Sequence, residues 1–262
     1  MSVPSDSFLQ SLVDWLDNEN TVGVAMAGSY ARGDGGQYSD VDIHHFVRQM
    51  PADPAETYFL RYMDGFLVSF SLTTLEDEYA YLRDPKKAIL AIPGLRQLRI
   101  LLDKDSTVAI LQEFAAKITW EPMQAAADAY ASWNISGCAE EVHKILAGLA
   151  QRNESKTLYA IWGLTRELAN TLLVRCGILI PTENAYIDLV QEAAGRTSDW
   201  TRQFRLATGL EPFPPEEPHF VGYGKAGLCL YRETARLLQP VLSCEDANVV
   251  ERTLEIIAEA GY

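Results

Sequence analysis

The hydrophobic pattern of this chain changes once along its length, near residue 108. Before that point, apolar and β-branched runs predict four buried strands at 21–27, 41–47, 66–72 and 98–102. Helical spacing of apolar residues predicts helices at 7–16 and 75–82 in the same region. Beyond it, helical spacing predominates, at 107–118, 122–151, 155–175, 183–194, 199–208, 225–238 and 245–260. Four prolines predict a loop at 211–218. We therefore expect an α+β protein with an N-terminal sheet domain at 1–108 and a C-terminal all-α helical bundle at 109–262.

The charge balance narrows the classes of partner. The chain has 262 residues and a formal net charge of -14, with 48% hydrophobic and 22% charged residues. A nucleic-acid-binding protein usually presents a basic surface, so we expect no nucleic-acid partner, whereas an acidic cleft would attract a small cationic substrate. We expect no membrane partner and a cytoplasmic location, because no apolar run approaches a membrane span and 1–10 lacks a signal-peptide pattern. The oligomeric state is not predicted.

The most informative segment is Gly28-Ser29-Tyr30-Ala31-Arg32-Gly33, followed by Asp40-Val41-Asp42. The preceding strand ends at Ala27, so Gly28 allows close approach of the backbone to a ligand. Ser29 would open a short helix whose free N–H groups favour phosphate. Asp40 and Asp42 are two residues apart at the start of a strand, so both carboxylates should lie on one face. Two such oxygen ligands suit Mg²⁺, which is commonly held by carboxylates together with substrate phosphates.

This combination resembles the DNA polymerase β-like nucleotidyltransferase superfamily, and most closely its aminoglycoside nucleotidyltransferases. The turn at Asp64-Gly65 and the segments at 74–76 and 101–105 are similar to those of the aminoglycoside 6-adenylyltransferases. The resemblance implies an N-terminal nucleotidyltransferase domain with a small mixed sheet. It also implies transfer of a nucleoside monophosphate, with ATP expected as the donor, Mg²⁺ as the cofactor and an aminoglycoside-like antibiotic as the acceptor. Antibiotic resistance would be the biological role.

The resemblance extends to Glu140-Glu141-Val142-His143-Lys144 in the helical part. Glu140 and Lys144 are four residues apart and share a helix face. By analogy with the kanamycin nucleotidyltransferases, Glu140 would be the general base and Lys144 would bind the triphosphate, with Glu141 as the competing base. An ordinary surface ion pair is the alternative. Arg32 would also meet the triphosphate, or else would be an exposed helical arginine.

Ser69 departs from the superfamily pattern, which places a third carboxylate near this position of the third strand. Either the helical domain supplies the base or the protein has lost catalysis and only binds nucleotide. A further alternative is nucleotidylylation of a protein side chain. His44 shares the face of Asp42 and is interpreted as a polar strand residue or a phosphate or acceptor contact. Tyr130, Trp133 and Trp162 are interpreted as core residues of the bundle, with base-stacking platforms as the alternative.

Overall fold

The computed structural model describes residues 3–213 and 218–262. It contains two compact units, Met1–Trp120 with Leu179–Thr182, and Glu121–Ile178 with Glu183–Tyr262. The units divide after residue 120, whereas the sequence pattern placed the boundary at 108, because the helix that follows residue 106 belongs to the first unit. Of the predicted loop at 211–218, residues 214–217 lie outside the described part. No helix within the described ranges combines the length and apolar character needed to cross a bilayer.

The first unit alternates strands and helices. In chain order its elements are α1 (Asp6–Leu16), β1 (Thr21–Ala27), α2 (Gly28–Arg32), β2 (Val41–Val47), β3 (Tyr58–Met63), β4 (Phe66–Thr73), α3 (Leu75–Tyr81), α4 (Pro85–Arg96), β5 (Arg99–Asp103) and α5 (Thr107–Lys117). The strands form one mixed sheet in the order β3-β4-β2-β1-β5, in which only the β2–β4 pair is parallel. This arrangement confirms the predicted α+β class.

Alternation along β2 gives the sheet two different faces. Val41 and Ile43 are fully buried and belong to a core cluster that includes Phe8 and Leu12 of α1. Asp42, the residue between Val41 and Ile43, therefore lies on the opposite face. The strand thus divides its side chains between a hydrophobic core and a face that carries polar groups.

The β3–β4 hairpin contains a strand that the sequence pattern did not predict. Asp64 and Gly65 connect the two strands with φ angles of 48° and 83°, as in the two-residue hairpin turns that favour Asp-Gly. The turn prediction is therefore confirmed. β3 itself lies at the sheet edge, where its mostly exposed side chains do not produce a buried apolar run.

The second unit consists of helices. In chain order they are α6 (Gln124–Gly137), α7 (Ala139–Ala150), α8 (Glu154–Arg175), α9 (Tyr186–Ala194), α10 (Asp199–Ala207), α11 (His219–Leu238) and α12 (Cys244–Glu259). The long central helix α8 packs against α6, α7 and α11. The helix predicted at 122–151 is divided at Cys138 into α6 and α7. The helix predicted at 225–238 begins six residues earlier than expected, at His219.

Candidate active site

The strand-to-helix corner at Gly28 brings the two predicted motifs together. Ala27, the last residue of β1, is the cross-strand partner of Asp42 on β2. Gly28 has a φ of 67°, and a Cβ added there would collide with the Asp42 carboxylate. Glycine is therefore required both by the backbone conformation and by the space that the carboxylate occupies. Ser29 follows directly in the first turn of α2. Its hydroxyl makes no hydrogen bond to any described residue.

Asp40 and Asp42 are both partly exposed at the start of β2. Asp42 is the second residue of the strand, while Asp40 immediately precedes it. Among the described residues, no group of three or more His, Cys, Asp or Glu side chains could hold a metal ion by itself. The two aspartates nevertheless fit Mg²⁺, because that ion usually keeps water and phosphate ligands in addition to one or two carboxylates.

Ser69 occupies the position beside Asp42 on the neighbouring strand. The parallel register pairs the two residues, and the Ser69 hydroxyl donates a hydrogen bond of 2.9 Å to Asp42 Oδ1. Ser69 is itself buried, at 5% relative exposure. A neutral donor therefore stands where a third carboxylate would have added negative charge and two more possible ligand atoms.

A short loop connects α2 to Asp40 and is fixed by local hydrogen bonds. The Tyr30 hydroxyl donates to the Gly36 carbonyl at 3.1 Å, and the Gly36 N–H donates to Ser39 Oγ at 2.9 Å. Arg32, predicted to contact the triphosphate, is paired with Asp34 of this loop at 3.2 Å. Its side chain is only 19% exposed, so Arg32 would have to leave Asp34 to bind a phosphate.

The two histidines of β2 have different environments. His45 is buried, and its Nε2 lies 2.9 Å from Thr21 Oγ1 on β1. His44 is paired with Ser71 in the parallel register and lies on the face of Asp42. Burial lowers the pKa of His44, which favours its neutral form at neutral pH. His45 is thus a structural residue, whereas His44 is a neutral polar side chain on the candidate site face.

In the second unit, α7 places two carboxylates around one ammonium group. Lys144 Nζ lies 2.9 Å from Glu140 Oε1 and 2.8 Å from Glu141 Oε1. The hydrogen bonds that Lys144 donates to these carboxylates, Glu141 first, raise the pKa of Lys144, and the same contact with Lys144 lowers the pKa of Glu140. The Glu140 side chain is 75% exposed, as expected for a surface ion pair.

Glu141 differs from Glu140 in its surroundings. Its side chain is 22% exposed, and its Oε2 atom is buried without a hydrogen-bond partner among the described residues. A Cβ at Gly163 of α8 would lie 3.8 Å from this oxygen, so the glycine leaves room beside the carboxylate. An unpaired buried carboxylate oxygen costs free energy and is uncommon outside functional sites.

Three aromatic side chains of the second unit are exposed. The prediction that Trp133 and Trp162 are core residues is wrong, because they are 64% and 68% exposed. Tyr159, on the same helix as Trp162, is 67% exposed, and the two ring centroids lie 6.3 Å apart. Helical spacing alone could not distinguish these residues from core positions, because an aromatic stripe produces the same pattern in either location. All three exposed rings are candidate ligand contacts, and of these only Tyr159 was not singled out from the sequence.

A depression of about 460 Å³ lies beside Lys144. Lys156 and Tyr159 of α8 also line it, as does Asn153, whose side chain caps the N-terminus of that helix. Lys156 and the N-terminus of α8 contribute positive charge here, whereas the charge of Lys144 is balanced by Glu140 and Glu141.

Comparison with known proteins supports the nucleotidyltransferase assignment of the first unit. Residues 9–88 match the family described as nucleotidyltransferase domain. The segment includes the Gly28 corner, both aspartates and Ser69, and the match supports a transferase enzyme that carries out nucleotidyl transfer. No curated protein matches the sequence significantly.

A solved structure shares the fold over nearly the whole chain. It is a nucleotidyltransferase-like protein from Exiguobacterium sibiricum, with 13% sequence identity and a TM-score of 0.51. The alignment covers 97% of this chain and 80% of the other. At this identity the likeness concerns the fold, which includes both the sheet unit and the helical unit.

Proposed function

We propose that this enzyme transfers a nucleoside monophosphate from a nucleoside triphosphate to a hydroxyl group of a small cationic molecule. ATP is the expected donor and an aminoglycoside-like antibiotic the expected acceptor. The observation that carries the proposal is the packing of the Asp42 carboxylate against Gly28, directly before Ser29. This packing puts a hard oxygen ligand next to a helix start that favours phosphate.

The residues of the first unit have separate roles in this proposal. Asp40 and Asp42 would hold Mg²⁺, which when bound neutralises phosphate charge as an in-line displacement proceeds. Gly28 and Ser29 would receive phosphate oxygens through the backbone and the Ser29 hydroxyl. Arg32 would leave its ion pair with Asp34 and bind the triphosphate, which would add a positive charge to the site.

The helical unit would supply the base and a further phosphate ligand. The acceptor hydroxyl loses its proton as its oxygen attacks the α-phosphorus and pyrophosphate leaves. The four-residue spacing from Lys144 assigns the role of proton acceptor to Glu140. Greater burial and an unpartnered Oε2 favour Glu141 instead. Lys144 would contact the triphosphate, and the neighbouring Lys156 supports an anion-binding role for this surface.

A cationic acceptor agrees with two features of the chain. The net charge of -14 attracts positively charged solutes. The exposed Trp133, Tyr159 and Trp162 rings offer faces for cation–π contacts, worth about 0.5–1 kcal/mol each at exposed sites.

The proposal is tested by following pyrophosphate release and label transfer from α-labelled ATP, GTP, CTP and UTP with a panel of aminoglycosides. We expect Asp42→Asn to lower turnover by at least about 100-fold, because a metal ion contributes several kcal/mol to the transition state. Asp64→Asn is the matched control, since Asp64 is exposed in the hairpin turn and asparagine tolerates its positive φ. Unchanged turnover in Asp42→Asn would refute the mechanism.

The same assay identifies the acceptor class and the base. Label that appears in protein from a cell lysate, and in no small molecule, would assign a protein side chain as the acceptor. Glu140→Gln and Glu141→Gln should separate the two candidate bases, since loss of a general base costs about 10²–10⁴-fold in rate. Equal, small effects of both variants would exclude this pair from proton transfer.

A further inference from the structure

We propose that the β3 surface, formed by the exposed side chains of Tyr58, Leu60 and Tyr62, binds the rings of the acceptor during nucleotidyl transfer. The inference rests on the proposed function. It adds to that function the part of the sheet unit that selects a cationic acceptor built from rings.

The β3 surface consists of large side chains that are open to solvent. Tyr58, Leu60 and Tyr62 are 56%, 50% and 81% exposed. Phe59 and Met63, which alternate with them along the strand, pack instead against the core cluster of the sheet unit. Neither tyrosine hydroxyl makes a hydrogen bond within the described part of the chain. Exposed apolar side chains on an edge strand favour aggregation, so their presence here indicates a ligand or partner that covers them.

Strand register places the β3 surface on the same face of the sheet as Asp42. Leu60 is paired with Ser69 on β4, and Ser69 is paired with Asp42 on β2. Tyr58 and Tyr62 share the face of Leu60, because side chains two residues apart point to the same side of a strand. Since neighbouring strands lie about 4.8 Å apart, the backbone of β3 is about 10 Å from that of β2. A multi-ring acceptor whose reacting hydroxyl lies beside Asp42 can therefore reach the β3 surface.

The direction of the displacement puts the acceptor on the β3 side of the site. Gly28 and Ser29, the proposed phosphate contacts, begin α2, which follows β1. In the sheet order, β4 and β3 lie on the side of β2 that faces away from β1. In an in-line displacement the attacking oxygen enters opposite the leaving group, which here is pyrophosphate. The acceptor therefore approaches across β4 and β3, while pyrophosphate leaves toward α2.

The charge of the two outer strands favours a cationic acceptor over the triphosphate. Arg61 is the single charged residue in the sequences of β3 and β4. Its guanidinium carbon lies 5.3 Å from the centroid of the Phe59 ring, on the face opposite to the β3 surface. The β3 surface therefore carries no positive charge that would bind phosphate or repel an ammonium group. Its two tyrosine rings can form cation–π contacts with ammonium groups of the acceptor.

The kinetic test uses the transfer assay with ATP and the aminoglycoside panel, and compares Tyr62→Ala with Arg61→Gln. We expect Tyr62→Ala to raise the KM for the aminoglycoside about three- to tenfold with little change in kcat or in the KM for ATP, because a lost ring contact weakens the ground state and the transition state equally. Arg61→Gln, on the opposite face of the same strand, should leave all three constants unchanged. Equal KM values for the aminoglycoside in these two variants would overturn the inference while leaving the proposed function intact.

Charge changes at Leu60 provide a second test. The KM for the aminoglycoside should be at least about tenfold higher in Leu60→Lys than in Leu60→Glu, and this difference should diminish as ionic strength rises. Equal values, or the reverse order, would overturn the inference. Circular dichroism establishes that each variant is folded. If Leu60→Lys does not fold, the comparison of Tyr62→Ala with Arg61→Gln still decides the role of the β3 surface.

Analytical ultracentrifugation separates acceptor binding from edge pairing between two copies of the chain. A dimer that Tyr62→Ala converts to a monomer, with an unchanged KM for the aminoglycoside, would overturn the inference, because β3 would then be a contact between copies. If the unmodified protein transfers label to no member of the panel, the proposed acceptor is wrong, and the inference is wrong as well.

Discussion

At the scale of single residues, Glu78 is a buried carboxyl group outside the candidate site. It lies on α3, and its Oε1 accepts a 2.9 Å hydrogen bond from Thr73 at the end of β4. Its relative exposure is only 7%. Burial raises the pKa of Glu78, and the hydrogen bond from Thr73 only partly opposes this shift. The folded protein therefore binds this proton more tightly than the unfolded chain does.

This residue should make stability depend on pH. As pH rises through the ordinary glutamate pKa, the unfolded chain ionises first, so the folded state loses stability until the raised pKa is passed. Glu78→Gln removes this loss. We expect the melting temperature of Glu78→Gln, relative to that of the unmodified protein, to increase as pH rises above the usual glutamate pKa of about 4.3.

Thermal denaturation monitored by circular dichroism at a series of pH values provides the measurement. Glu76→Gln, an exposed position on the same helix, is the control and should change the pH profile little. A Glu78→Gln profile parallel to that of the unmodified protein would contradict the prediction.

Several site residues could be predicted from the sequence because their signal is local. Gly28 and Asp42 belong to a recognisable pattern, and the structure places them against each other. The hydrogen bond from Ser69 could not be predicted, because it depends on the register between strands 27 residues apart in sequence. The orphaned oxygen of Glu141 likewise depends on the packing of α7 against α8, which helical spacing does not specify.

At the scale of elements, the predicted boundaries agree best where burial is complete. β1 and β2 match their predicted ranges, because nearly every residue of β1 is buried and β2 alternates against the core. The unpredicted β3 is an exposed edge strand. Helix α4 was also not predicted, because Pro93 lies inside it and interrupts the expected helical pattern. An edge strand that buries no continuous apolar run leaves little trace in a single sequence.

The start of α8 offers an element-scale prediction. The sequence pattern predicted a helix from residue 155, but α8 begins at Glu154, and Asn153 is its N-cap because the Asn153 side chain accepts from the Lys156 N–H at 3.0 Å. Asn153→Ala should destabilise the helical unit by about 1 kcal/mol, since it leaves a helix N–H group without its cap.

Urea denaturation monitored by tryptophan fluorescence provides the test. Ser155→Ala is the matched control, because Ser155 is exposed and two residues away, and it should change stability by less than about 0.5 kcal/mol. A larger effect of Ser155→Ala than of Asn153→Ala would contradict the assignment of the cap.

At the scale of the whole molecule, the chain enters the first unit twice. After α8, residues Leu179–Thr182 rejoin the unit formed by Met1–Trp120. Within that unit, the Ile180 N–H donates to the Ile89 carbonyl of α4 at 2.7 Å, and Ile180 is 3% exposed. Through Ile180, this four-residue segment therefore contributes to the core of the sheet unit.

Shortening the side chain in this segment should destabilise the sheet unit. Ile180→Ala removes buried methyl and methylene groups and should cost about 2–5 kcal/mol. Native-state hydrogen exchange of β1 and β2 amides would report the loss. Ile110→Ala on α5 is the control, because Ile110 is 57% exposed, and its effect should stay within about 0.5 kcal/mol. Unchanged exchange in Ile180→Ala would contradict a core role for the segment.

The return of Leu179–Thr182 also limits how such a protein can be recombined. A chimera that joins Met1–Trp120 to a foreign helical bundle would lack the segment Leu179–Thr182, which contains Ile180. The sheet unit of this chimera would have an unfilled hydrophobic gap beside α4. A viable exchange must therefore keep both Met1–Trp120 and Leu179–Thr182 and must graft the helical bundle as two separate stretches of chain.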